Sequence, residues 1–195
     1  MTQAAVDNPF SLLSARRSTP FRLLAEPGPS AAQLAALLRE AVRVPDHGRL
    51  APWRFIAIQD AARQRFAERL VARLQQREPE AGEAAIAKER DRMAHAPLIL
   101  VVVGRIDPAH RIPAQEQLLS GGCVCFSLLL AAQAQGFGAQ WLTGWAAYDR
   151  GVADDLGLSA DERVLGFIHV GSAAEAMPER ARPDAAALLS HWPVD

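Results

Sequence analysis

The segment Pro113–Gln135, PAQEQLLSGGCVCFSLLLAAQAQ, constrains this chain more than any other. After its leading proline it contains no strong breaker except the Gly121-Gly122 pair, and from Leu118 to Ala134 it is apolar and small, with two serines. A surface helix carries one apolar stripe; a helix that is apolar nearly all round is buried on every side. Twenty-odd residues at about 1.5 Å each give a rod of roughly 30 Å, the width of a small domain. Such a length also meets the requirement for a membrane span, but Ser120 and Ser127 interrupt the run and Gln117 and Gln133 bound it. No second stretch of this kind exists, so the segment reads as a core helix.

At 195 residues the chain is expected to form one domain over 1–195, large enough for a core without disulfide staples. Half of it is hydrophobic and the net charge is −1, which argues against a nucleic-acid or anionic-membrane partner. Arginine supplies twenty of the 21 basic residues, Lys88 being the exception, and with the abundant alanine this reflects genome composition. The N-terminus lacks a basic region followed by an apolar one, so a cytoplasmic location is expected. Cys123 and Cys125, two apart on a helix, lie about 200° apart around its axis and cannot face one metal. They read as small buried hydrophobes, and no metal site is expected.

Along the chain, Asn8-Pro9 caps a first helix carrying Phe10, Leu12 and Leu13 and ending at Arg16-Arg17-Ser18. Three prolines and a glycine make 19–29 an irregular connection. Ser30 and Gln33 form a capping box for a helix with the stripe Leu34, Leu37, Leu38, Ala41. The loop from Pro45 to Pro52 leads into a strand at 53–58, with Trp53 and Phe55 alternating against Arg54. Asp60 is placed to cap a third helix bearing Phe66, Leu70 and Leu74. The charged stretch 77–95 predicts a mobile, partly helical cover. The run 97–103 reads as a central strand covered on both faces. After the long helix come a strand from Gly138 into a turn at Gly144, a last strand over 164–170, and a tail with a helical pattern at 185–189. Strands and helices do not alternate strictly, so the class is α+β.

Three polar clusters can carry chemistry. Arg16, Arg17 and Ser18 offer two guanidinium forks and a hydroxyl, a donor set suited to phosphate. Arg43 and His47 flank a loop fixed by Pro45 and Pro52 and anchored by Trp53. Glycines around Trp141, Leu142 and Thr143 allow backbone N–H groups to approach a flat ligand. Taken alone, the three clusters read first as a solvated helix end, a polar loop and a tight turn.

Their order and spacing, Arg16-Arg17-Ser18, then Arg43-x-Pro45-x-His47-x3-Ala51-Pro52-Trp53, then Gly136-x-Gly138-x2-Trp141-x-Thr143-Gly144, then Gly166-x4-Gly171, resemble the nitroreductase family of FMN-dependent oxidoreductases, in its short, minimal branch. The resemblance runs from Leu13 to about Asp184. It implies a nitroreductase-like fold, a central mixed or antiparallel sheet flanked by helices around a long buried helix. It also implies a homodimer with FMN at the subunit interface. Arg16, Arg17 and Ser18 would hold the phosphate and ribityl chain, and Trp141, Leu142 and Thr143 would run beside the flavin. Arg43 and His47 would close over it from the partner chain. NAD(P)H would reduce the flavin, which would pass electrons to a nitroaromatic, quinone or related acceptor in a ping-pong cycle, with no catalytic side chain required. Leu142 stands where related sequences often carry Arg, with Arg180 or Arg182 as candidate substitutes, and Gly48-Arg49-Leu50 departs from the polar and Met residues common there. The competing functions are a flavin-binding or flavin-consuming protein with little turnover, and an α+β interaction protein binding another phosphate. A partner subunit would cover the remaining faces of the long helix, with Gly121, Gly122 and Ser127 as candidate close contacts.

Overall fold

The computed structural model describes residues 10–192, so the Asn8-Pro9 cap lies outside the described residues. The elements in chain order are α1 (Ser11–Ala15), β1 (Leu24–Ala25), α2 (Ala31–Ala41), β2 (Trp53–Gln59), α3 (Ala61–Arg77), α4 (Glu83–Ala94), β3 (Leu98–Arg105), α5 (Ala114–Ala134), β4 (Gly138–Leu142), α6 (Arg150–Asp155) and β5 (Glu162–Ala173). The five strands form one sheet in the order β1-β5-β3-β2, with β4 also paired to β5, and every pairing is antiparallel. The α+β class stands, and the sheet resolves as antiparallel.

β3 is the centre. Its residues Leu98 to Gly104 are all buried, as its β-branched run predicts. Alternation divides them between two cores. Ile99, Val101 and Val103 join Phe66, Leu70, Met93 and Phe167 under α3 and α4. Leu98, Leu100 and Val102 join Leu37, Val124, Leu128 and Ile168 under α2 and α5. β2 is likewise two-sided, because Trp53 and Phe55 pack on the α5 face while Ile56 and Ile58 pack on the α3 face. The predicted capping box of α2 is complete, with Gln33 N–H donating to Ser30 Oγ at 3.3 Å and Ser30 N–H to Gln33 Oε1 at 3.0 Å.

Three local expectations change. Asp60 precedes α3 but its side chain makes no capping bond, because its backbone sits at φ 49°. The stretch predicted as a mobile, partly helical cover is helical over the twelve residues of α4 and is packed, burying Met93 and Glu89 and pairing Arg90 with Glu68 of α3 at 2.6 Å. Its stability comes from packing rather than from a strong sequence period. The long helix is α5, and within one chain it is not enclosed. Val124, Cys125, Leu128 and Ala132 are buried on the sheet and α2 side, while Leu119 is 61% and Phe126 41% exposed. α5 is the one described helix long and apolar enough to cross a membrane by composition, and the packed side just described is what a core helix shows. Burial pushes the Cys125 thiol up to about 12, as expected of a cysteine that serves as a small hydrophobe. Among the described residues no group of three potential metal ligands occurs.

Candidate functional site

α1 ends at Ala15 and the chain turns into extended backbone at Arg16, which sets 16–18 across the C-terminal end of α5. Two bonds fix this placement: Gln133 Nε2 donates to Leu12 O at 2.9 Å, and Thr19 N–H donates to Ala139 O of β4 at 2.9 Å. The tail after β5 returns to the same place. Arg16, Arg17, Ser18, Met177, Arg180 and Arg182 line one cavity of about 300 Å³. Four guanidinium groups therefore meet around a single opening.

Their charges are incompletely matched. Glu179 pairs with Arg17, and with Arg182 at 3.2 Å. Arg17 is also folded back on the end of α1, donating to Ser14 O at 2.6 Å. Arg16 makes only a long 3.4 Å bond to Ser18 Oγ, and neither it nor Arg180 forms a salt bridge among the described residues. Burial first, and then the neighbouring Arg182, Arg180 and Arg17, hold the Arg16 guanidinium below its ordinary pKa. A half-buried cation facing three more cations favours an anion, and planar forks with a hydroxyl match phosphate oxygens. The residues present thus fit the phosphate end of FMN. Arg180 and Arg182 lie too far along the chain for spacing alone to attach them to the triplet.

The second cluster lies elsewhere. His47 Nδ1 is 2.7 Å from Glu116 Oε2 in the first turn of α5, and Arg43 extends into solvent beside Glu40. The loop is held as its prolines and tryptophan predict. Trp53 Nε1 donates to Ser120 Oγ at 3.2 Å, Ser120 Oγ to Pro45 O at 2.8 Å, and Ala51 N–H to Asp46 Oδ2 at 2.8 Å. Arg49 and Ala51 adopt φ of 54° and 47°, left-handed conformations that cost about 1–3 kcal/mol each and that cluster at ligand-binding loops. From Glu116 to Gln133 the helix rises about 25 Å, so within one chain His47 stands at the opposite end of α5 from Arg16, whereas Glu40, the partner of Arg43, lines a cavity with Leu12, Ser127 and Ala134 near the other end.

The third cluster follows β4, which starts beside Thr19 and pairs with β5 from Gly138↔Gly171 to Leu142↔Phe167. Trp141 and Leu142 point to opposite faces of the sheet. Trp141 lies on Gly166, where an added Cβ would stand 2.0 Å from its Nε1, and that Nε1 donates to Leu165 O at 3.2 Å. Gly166 is glycine because the indole occupies the space of a side chain. Thr143 and Gly144 form the turn, with Gly144 at φ 66° and exposed. The structure thus brings Arg16–Ser18 and 141–143 onto one side of the molecule, along β4, and leaves His47 apart.

An antiparallel sheet of this order, carrying a long half-covered helix and a cluster of arginines at one end of it, defines an α+β protein with a cationic cavity beside that helix. The chain belongs to the Nitroreductase family, whose sequence model matches residues 13–172. It is 37% identical over 165 residues, 84% of this chain and 87% of the other, to the Escherichia coli K12 protein named "Putative NAD(P)H nitroreductase YdjA". A Haemophilus influenzae protein of the same description is 33% identical over 174 residues, 89% of this chain and 92% of that one. Solved structures share the fold at lower identity. The nitroreductase-like protein of Bacillus cereus superposes with a TM-score of 0.83 at 21% identity over 98% of this chain and 99% of its own. A nitroreductase of Desulfovibrio desulfuricans, solved in complex with FMN, does so at 0.74 and 22%, over 97% and 99%.

Proposed function

We propose that residues 1–195 form a single FMN-binding domain that works as a homodimer, an NAD(P)H oxidoreductase passing electrons to a nitroaromatic, quinone or related electrophilic acceptor in a ping-pong cycle. The observation that carries this reading is the four-arginine cavity at the end of β4. FMN bound there would supply the hydride chemistry. The chain's own groups would bind and orient it. Arg16, Arg180 and Ser18 would take the phosphate, with Arg17 and Arg182 set by Glu179. Backbone from Trp141 to Thr143 would run beside the ring system. NAD(P)H as reductant is supported by the names of the two bacterial relatives.

The separation along α5 supports the dimer. His47 cannot reach the arginine cavity of its own chain across about 25 Å, whereas a two-fold arrangement can bring one chain's loop to its partner's cavity. The uncovered side of α5 supplies an apolar surface for that contact. Here the glycine pair separates. Gly121 is buried against its own chain, since an added Cβ would lie 2.2 Å from Leu165 Cδ1, so it is not a partner contact. A Cβ on Gly122 meets nothing within 4 Å. Gly122→Leu therefore costs little in an isolated chain. It is expected to abolish the dimer in size-exclusion chromatography and to release FMN with it; a flavin-loaded dimer would reject this contact.

The visible absorption spectrum of the purified protein tests the function. A yellow protein whose flavin bands bleach on anaerobic addition of NADH or NADPH and return with a quinone is expected. A chain that binds FMN yet turns over no acceptor would indicate a flavin-binding or flavin-consuming protein. One that remains colourless after incubation with FMN would overturn the proposal.

A further inference from the structure

Arg92 of α4 lies outside the residues that the sequence motifs single out, yet it reaches the turn that ends β4. Its side chain is 15% exposed, and its Nη2 donates to Thr143 O at 2.6 Å. The guanidinium lies against Gly144, where an added Cβ would stand 2.6 Å from both Nη1 and Nη2. Behind it Glu89, 9% exposed, pairs with Nη1 at 3.7 Å, and the fully buried His169 adds no competing positive charge because burial, and then Arg92 itself, holds it neutral down to about 3. A charged group this enclosed is costly unless paired and hydrogen-bonded. Its strongest bond here goes to one backbone carbonyl.

That carbonyl decides the direction of a donor. In a planar trans peptide the C=O and the following N–H point oppositely. With the Thr143 carbonyl drawn inward to Arg92, the Gly144 N–H is turned away from α4, and among the described residues it has no protein acceptor. Gly144 is exposed, so the donor is available to a ligand. The neighbouring Arg22, paired with Asp91 at 2.8 Å, does not make this contact.

We infer that Arg92, braced by Glu89, is a positioning residue that locks the Thr143–Gly144 peptide so that its outward N–H binds an acceptor atom of the flavin ring. This inference rests on the flavin reading of the site. The side chain acts through the backbone, on the ring end of the ligand and not on the phosphate end.

The test is titration of the flavin-free protein with FMN and with riboflavin, for the native chain, Arg92→Met and Arg92→Lys. Loss of a charge-assisted bond and of the peptide orientation should raise Kd for both ligands by the same factor, about tenfold in Arg92→Met. Arg92→Lys, which keeps one charged donor, should recover part of the affinity. A merely structural role would lower the melting temperature and leave both Kd values of the folded protein unchanged, and that result overturns the inference. So does a loss confined to FMN. If Arg92→Met does not fold, Arg92→Lys decides alone: a several-fold loss on both ligands supports the inference and unchanged affinity rejects it. A native chain that binds neither ligand overturns the flavin reading and this inference together, whereas native binding with unaffected variants overturns this inference only.

Discussion

Arg16→Ala is expected to raise the Kd for FMN by about 10- to 100-fold while leaving the Kd for riboflavin nearly unchanged. Hydrogen bonds to charged groups contribute about 1.5–3 kcal/mol, and each 1.4 kcal/mol is tenfold in affinity. Arg16 sits at the top of that range for three reasons. It is half-buried, its only bond is a long one to Ser18, and Arg180, Arg182 and Arg17 crowd it with like charge that an incoming dianion relieves. Riboflavin lacks the phosphate and cannot register the loss. Arg17→Ala should have a smaller direct effect on FMN, since Ser14 O and Glu179 already occupy that guanidinium. Titration of flavin-free protein with both ligands, followed by flavin fluorescence, checks the expectation. Equal loss for the two ligands would reject the phosphate assignment.

The largest effect on stability is expected from Glu162→Gln, about 3 kcal/mol of destabilisation. The Glu162 side chain is 6% exposed at the start of β5. Its Oε1 accepts from Arg54 Nε at 2.7 Å and Arg105 Nε at 3.0 Å, and its Oε2 from Arg54 Nη2 at 2.8 Å and Ser159 N–H at 3.2 Å. One carboxylate thus ties β2, β3 and β5 together at one end of the sheet. Breaking a buried pair costs about 3–5 kcal/mol, and the lower end applies because both arginines reach water. For a chain of this size that is a fall in Tm of about 10 °C.

The pH dependence has a definite sign. The Arg54 hydrogen bonds first, then those from Arg105 and Ser159 N–H, hold the Glu162 carboxyl far below its ordinary value of 4.5, against the opposing effect of burial. The unfolded chain therefore binds this proton at higher pH than the folded one. The contribution of Glu162 is complete above about pH 4.5 and is lost as pH falls below it towards the depressed folded value. Thermal melts of the native chain should become steeply acid-sensitive below pH 4.5, and those of Glu162→Gln less so. A variant that melts within 1 °C of the native chain would rule out this role.

Much of the architecture is legible in the residues because it follows from local rules. The β-branched run at 98–103 can only be a strand buried on both faces, and Ser30 with Gln33 specifies a helix start through bonds three residues apart. α4 was harder to read, because its helical state rests on Met93 and Glu89 meeting α3, a contact that its weak apolar pattern does not announce. Glu162 takes one local bond, from Ser159 N–H three residues earlier, and spends its others on Arg105 and on Arg54, 108 positions earlier. The arginine cluster was half visible. Arg16-Arg17-Ser18 has the right chemistry in three adjacent residues, whereas Arg180 and Arg182 join it only because the tail folds back.

What the sequence determined by itself is therefore most of the elements, the α+β class and the donor chemistry of the Arg16-Arg17-Ser18 triplet. Hydrophobic period, caps and donor type act over a few residues and are written in order. The tertiary structure decided which faces and side chains meet. It left one side of the 113–135 helix uncovered, parted Gly121 from Gly122, set His47 at the far end from Arg16, and ran Arg92 beneath the Thr143 carbonyl. Those outcomes depend on the direction in which a helix or strand carries each side chain across some tens of residues of intervening chain, and no local pattern records that direction.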